Sequence, residues 1–194
     1  MNTKRVGVLA LQGGYAAHIA ALADIGIEGV PIRRPETLTT VDGLILPGGE
    51  STTHLKLINR FELAPALTAF VASGRPVLAT CAGLILSARD VHSPAQESFG
   101  WLDVEVARNA WGRQVHSFEA TTDAGNLFDP PLPLLFIRAP RIENVGPRAE
   151  VILRFEGEPV AVRQGAVVGA SFHPELTSDR RLHAWIFNPL ARDA

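Results

Sequence analysis

Apolar runs alternate with helical patterns through the first half of this chain, and that alternation restricts the fold more than any other feature. Residues 5–11, 29–32 and 43–46 are near-continuous apolar stretches, as expected of strands covered on both faces. Helical spacing occupies 15–24, 51–59 and 64–73. Strands joined through helices run parallel, so the order implies a parallel sheet with helices on both sides. Beyond residue 89 the texture changes. Short strand candidates at 101–106, 114–121, 134–138, 151–155, 160–163 and 167–171 are separated by turn residues and predict a mostly antiparallel portion, which a helix over 178–187 closes. A chain of 194 residues with 46% hydrophobic content can bury one substantial core, so one domain over 1–194 is expected.

The formal charge of -2, with no basic block or acidic tail, lacks the electrostatic footprint of a nucleic-acid binder. One cysteine excludes an internal disulfide framework, and no zinc-ligand spacing is present; a reducing cytoplasm is the expected compartment. Lys4-Arg5 before an apolar run imitates a secretory signal, but the run stops at Gln12-Gly13-Gly14 and continues as a helix, so a first strand and first helix are expected instead. No apolar stretch approaches the roughly 20 residues that span a bilayer, and no membrane association is expected.

That single cysteine, Cys81, falls between a buried strand at 75–80 and a helical stretch at 84–89. Such a strand-turn-helix junction is a nucleophile elbow, which demands small residues two before and two after the nucleophile; here they are Ala79 and Gly83. The elbow would present the thiol to solvent at the mouth of a cleft, with the N-terminus of the following helix nearby to favour the charged nucleophile. A lone cysteine elsewhere in a strand would read as a small buried hydrophobe.

Two further segments could complete a site. Phe172-His173-Pro174-Glu175 follows a strand, and in an extended segment side chains two apart face the same way, with Pro174 keeping His173 out of the helical region. A thiol needs a base, and the base needs a partner that fixes its tautomer; Cys81, His173 and Glu175 supply those parts. Taken alone, the segment would be a surface turn. Leu46-Pro47-Gly48-Gly49-Glu50-Ser51-Thr52 ends another predicted parallel strand and should share an edge of the sheet with Cys81. There the backbone N–H groups of Gly49 and Ala82 could form an oxyanion hole. A phosphate loop is the rival reading, but the Walker spacing is absent. The other histidines, His18, His54, His92, His116 and His183, show no ligand spacing and read as surface or packing residues; Gln12-Gly13-Gly14 lacks the third glycine of a dinucleotide fingerprint.

In order, these segments resemble the class I glutamine amidotransferases, and within them the glutaminase subunits of pyridoxal 5'-phosphate synthases. The likeness also rests on Gly7-Val8-Leu9-Ala10-Leu11-Gln12-Gly13, Thr80-Cys81-Ala82-Gly83-Leu84, Arg108-Asn109, Gly112-Arg113-Gln114, Ser117-Phe118-Glu119, Phe136-Ile137-Arg138-Ala139-Pro140 and Ser171-Phe172-His173-Pro174-Glu175-Leu176. It implies a flavodoxin-like α/β fold, a central mostly parallel sheet flanked by helices with an added antiparallel portion. It also implies hydrolysis of L-glutamine to glutamate and ammonia, the ammonia passing to a partner synthase subunit. Cys81 would attack the amide, His173 shuttle the proton and Glu175 orient it. Gly49, Glu50, Ser51, Arg108, Ile137 and Arg138 would hold the glutamine. Neither metal nor organic cofactor is implied.

The resemblance carries a regulatory expectation too: the oxyanion-hole peptide near Gly49-Glu50 is turned the wrong way until the partner docks. One position departs from the family pattern, since His116 stands where an acidic residue is expected before Ser117-Phe118-Glu119. Two other readings compete. A cysteine hydrolase or chaperone-like relative would keep the elbow but lack the terminal His-Pro-Glu, and a non-enzymatic flavodoxin-like binding module would leave elbow, glycine loop and His-x-Glu as coincidence.

Overall fold

The computed structural model describes residues 4–108, 117–123, 125 and 127–188. Their main sheet has seven strands, and its parallel block consists of β1 (Arg5–Leu9), β2 (Glu28–Ile32), β3 (Gly43–Leu46), β4 (Val77–Thr80) and β12 (Val167–Ala170). Across the sheet the order is β10-β11-β12-β4-β3-β1-β2, with β10 (Glu150–Phe155) and β11 (Glu158–Gln164) added antiparallel beyond β12. β3 and β4, near the centre, are buried throughout, as Gly-Leu-Ile-Leu and Val-Leu-Ala-Thr, and apolar but for Thr80.

Alternation along these strands sends side chains into two cores. Leu44, Leu46, Val77 and Ala79 enter the core beneath the helices α2 (Ser51–Arg60), α3 (Ala64–Ala72) and α4 (Ala82–Ser87). Ile45 and Leu78 enter the opposite core with Leu22 of α1 (Tyr15–Asp24) and with Leu182, Ile186 and Phe187 of α5 (Arg181–Phe187). The expected parallel sheet with helices on both faces is therefore what forms.

Among the described residues, the second half is antiparallel except where β12 joins the parallel block and β5 (Ala88–His92) pairs parallel with β6 (Leu102–Ala107). β6 also pairs antiparallel with β9 (Arg141–Val145), and β7 (Ser117–Thr121) with β8 (Pro133–Ile137). β5 and β9 depart from the sequence expectation, and so does α4, expected over 84–89. That helix begins at Ala82 because Cys81 breaks the backbone, and it ends at Ser87 because Ala88 is extended (φ -65°, ψ 154°) and starts β5. The final helix is shorter than expected, beginning at Arg181. The first part of the expected strand 114–121 lies outside the described residues, as do Asn109, Gly112, Arg113, Gln114 and His116.

Candidate active site

β3 and β4 are adjacent and parallel, so the glycine loop after Leu46 and the elbow after Thr80 leave the sheet at the same edge. β12 lies on the other side of β4, with Ala170 opposite Thr80, and delivers the chain to His173 three residues later. The Cys81 N–H donates to the Ala170 carbonyl (2.8 Å) and the His173 N–H to the Leu135 carbonyl of β8 (2.8 Å), so both backbones are anchored to neighbouring strands.

Cys81 adopts φ 48°, ψ -101°, a conformation that a residue with a side chain enters at a cost of about 1–3 kcal/mol. The turn is tight enough that a Cβ at Gly83 would lie 2.1 Å from the Leu46 carbonyl oxygen, which enforces glycine there. Ala79 is fully buried. The thiol does not project freely into solvent as the elbow pattern suggested. Cys81 is 7% exposed and lines the wall of a cleft. Since α4 has only six residues, its dipole is slight, and the charged group that faces the sulfur is the His173 imidazole.

A Cβ built on Gly48 would meet His173 Cε1 at 2.4 Å and Cys81 Cβ at 3.4 Å, so Gly48 fills the angle between Cys81 and the His173 ring. His173 Nδ1 and Glu175 Oε1 are 2.7 Å apart. The segment reaches this geometry differently from the sequence expectation: Pro174–Leu176 forms one 3-10 turn, not an extended strand end, while His173 itself stays outside the helical region (φ -109°, ψ 83°). Burial pulls the His173 pKa down, but hydrogen bonds and charge from Cys81 and Glu175 outweigh it and raise the group from 6.5 to about 10. Burial likewise disfavours the Glu175 carboxylate, yet the neighbouring His18 and His173 rings hold it below its ordinary value.

The cleft has a volume of about 320 Å³ and is lined by Gly48, Gly49, Glu50, Ser51, Cys81, Arg108, Ile137, Arg138, His173 and Glu175, together with Gly14, Ile85 and Leu176. That size suits one amino-acid-sized molecule. Every candidate named from the sequence is on this wall except Ala82, which is buried directly behind Cys81 and could contribute only its backbone. Glu50 has a second duty. Its carboxylate caps α2, accepting from Thr52 N (3.1 Å), Thr53 N (2.6 Å) and Thr53 Oγ1 (2.8 Å), and it pairs with Arg108 Nη2 at 3.3 Å. Burial opposes ionisation, but the bonds from Thr53 and Thr52 lower its pKa to about 2. Ser51 Oγ donates to Gln96 Oε1 (2.7 Å).

Sequence reasoning missed some of these parts. Gln12, set aside with a weak dinucleotide pattern, brackets the Glu50 backbone: its Nε2 donates to the Glu50 carbonyl (3.0 Å) and its Oε1 faces the Glu50 N–H (3.5 Å). Gly14 donates its N–H to the Gly48 carbonyl (3.1 Å). The signal was the loop's position at the end of β1, on the ligand edge of the sheet. His18 and His183 read as surface or packing residues; both are fully buried, they touch each other, and His18 Nε2 lies 3.4 Å from Glu175 Oε2. Spacing could not reveal a contact between residues 165 positions apart.

No helix among the described residues is long and apolar enough to cross a membrane. The chain matches the SNO glutamine amidotransferase family over residues 8–191. It is 52% identical over 200 residues to a pyridoxal 5'-phosphate synthase subunit PdxT of Acidothermus cellulolyticus, an alignment spanning 100% of this chain and 97% of the relative. A protein of the same name from Thermotoga neapolitana is 45% identical over 181 residues, with 93% and 96% covered. A solved glutamine amidotransferase superposes with a TM-score of 0.88 at 44% identity, covering 96% of this chain and 98% of that one. The PurLQS structure from Thermotoga maritima, at 16% identity and a TM-score of 0.73 over 98% and 100% of the two chains, shares the fold. The glutamine amidotransferase fold implied by the sequence resemblance is thus the fold of this chain.

Proposed function

From the membership of this chain in the SNO glutamine amidotransferase family, we infer that it is the glutaminase subunit of a pyridoxal 5'-phosphate synthase, working as one domain over 1–194. The observation that carries the chemistry is the chain of contacts from Glu175 through His173 to Cys81, along the wall of a cleft sized for an amino acid. Glutamine would lie against Gly49, Glu50 and Ser51 on one side and Ile137 and Arg138 on the other, with Arg108 at the rim.

In this reading His173 begins protonated and Cys81 as thiolate. The sulfur attacks the side-chain amide carbon, and the carbonyl oxygen takes the negative charge toward the N–H groups of Gly49 and Ala82. His173 gives its proton to the amide nitrogen, the C–N bond breaks, and ammonia leaves a γ-glutamyl thioester on Cys81. Water then loses a proton to His173 and attacks the thioester; the C–S bond breaks, leaving the thiolate and the imidazolium and releasing the γ-carboxylic acid, which loses its proton to solvent to become glutamate. Glu175 keeps Nδ1 of His173 protonated, so that Nε2 faces the reacting atoms throughout. No metal or organic cofactor enters these steps. The ammonia passes to the synthase subunit, which combines it with a pentose phosphate and a triose phosphate. A reaction that depends on a free thiol suits a reducing cytoplasm.

The partner also governs the rate in this reading, by turning the oxyanion-hole peptide near Gly49-Glu50 so that the Gly49 N–H faces the oxyanion. Glutamate release from glutamine, with and without the synthase subunit, tests the proposal for the native chain and for Cys81→Ala. Turnover stimulated by the partner and abolished by the substitution is expected. Turnover that survives in Cys81→Ala, or is absent from the native chain in both settings, overturns it.

A further inference from the structure

Behind Glu175, on the side away from the cleft, lies a buried polar chain that the glutaminase steps do not use. His18 of α1 has its Nε2 3.4 Å from Glu175 Oε2 and 3.2 Å from Thr80 Oγ1, the residue before the nucleophile. Its Nδ1 is 3.1 Å from Nε2 of His183 in α5. His18, His183 and Thr80 are fully buried. Among the described residues, the buried Glu175 Oε2 makes no hydrogen bond of good geometry, so the His18 ring supplies the polar group that stands against it.

Two proton arrangements are conceivable for the pair of rings. If His18 carried its proton on Nδ1, its Nε2 could accept from the Thr80 hydroxyl, but the lone pair would also stand against a buried carboxylate oxygen, and His183 would bury an unpaired N–H on its Nδ1. With the proton on Nε2, His18 donates toward Glu175, its Nδ1 accepts from His183 Nε2–H, and the leftover atom is only an acceptor, His183 Nδ1, which has no partner among the described residues. The second arrangement avoids the repulsion and leaves the cheaper orphan.

We propose that His18, fixed as its Nε2–H tautomer by His183, is a positioning residue of the triad: it holds the second oxygen of Glu175 and ties that carboxylate to the strand end that carries Cys81. The proposal rests on the glutaminase reading for its kinetic consequences, but not for the tautomer. Other charged and titratable groups facing this ring are His173, and Arg180, which precedes α5 and is paired with Asp24 at 2.9 Å. Burial is the largest influence on His18 and keeps it neutral, lowering its pKa to about 4, so it acts as a neutral donor over the working range and not as a second acid.

Long-range proton–nitrogen correlation spectra of the full chain labelled with [15N]histidine read the tautomer directly. His18 should be neutral, protonated at Nε2 and bare at Nδ1; a proton on Nδ1, or an imidazolium at neutral pH, overturns the proposal whatever the activity. In kinetics with the synthase subunit present, His18→Leu should lower kcat by up to about 100-fold with KM nearly unchanged, since His18 is absent from the cleft wall. It should also move the acid limb of the pH profile upward, because Glu175 loses the neighbour that favours its ionised form. His18→Gln, whose amide nitrogen falls where Nε2 was, should recover most of the rate, and His18→Asn should not. A folded His18→Leu chain with native kcat and an unmoved acid limb overturns the proposal. An inactive native chain would instead sink the glutaminase reading, and the tautomer spectrum would still decide the role of His18.

Discussion

Glu175 and His173 are joined by a 2.7 Å contact in which the carboxylate is acceptor and the imidazole donor. Glu175→Gln changes a single atom, yet it removes the charge and offers an N–H that favours the opposite tautomer of His173. We expect kcat to fall roughly 10²- to 10⁴-fold with little change in KM; steady-state kinetics with the synthase subunit checks this, and a retained kcat would show that His173 is oriented by something else. At this scale the sequence was informative wherever a residue type is chemically rare. Cys81 is the only thiol, and His-Pro-Glu at a strand end pairs a base with an acid. His18 and His183 were opaque because their role comes from a contact between the first helix and the last, which no local pattern announces.

At the scale of elements, the cap of α2 joins the stability of a helix to the wall of the cleft. Glu50 is an uncommon cap, longer than the preferred Ser, Thr, Asp or Asn, and it reaches the first turn by bonding Thr52 and Thr53. Glu50→Ala should cost about 0.5–2 kcal/mol of stability in urea unfolding. It should also raise KM for glutamine, since Arg108 loses its partner at the cleft rim. A variant with native stability and native KM would remove Glu50 from both roles. α1, β3 and the parallel order could be read from the sequence because their apolar periodicity is strong and their ends carry clear turn residues. β9, Arg-Ile-Glu-Asn-Val, escaped because only Ile142 is buried and charged or polar side chains fill most other positions of this short strand. The 3-10 turn at Pro174–Leu176 escaped because proline restrains the residue before it and is equally at home at the start of a helical turn.

For the whole molecule, the buried histidines set a pH profile of stability. Burial is the main cause that lowers His18 and His54 from 6.5 to about 4 and His183 to about 3. Between about pH 6.5 and those values the unfolded chain takes up protons that the folded chain refuses, so stability falls as pH drops through this window. His173 acts in the opposite sense. Its folded pKa is raised to about 10, so its contribution is complete below 6.5 and is lost as pH rises from 6.5 through about 10. Tm should therefore peak at about pH 6.5 and decline on both sides. Calorimetry across that range checks it, and a Tm that stays flat from pH 6.5 to 10 would contradict a protonated His173.

A nucleophile, a base and a carboxylate that orients the base arrive from separate parts of the chain and are proposed to act as one unit beside a cleft sized for an amino acid. Peptide mapping after treatment with a diazoketone analogue of glutamine, in the presence of the synthase subunit, tests this most directly. One label should appear, on Cys81; free glutamine should suppress it, and His173→Asn should nearly abolish it. A label on any other residue, or undiminished labelling of Cys81 in His173→Asn, would contradict the account.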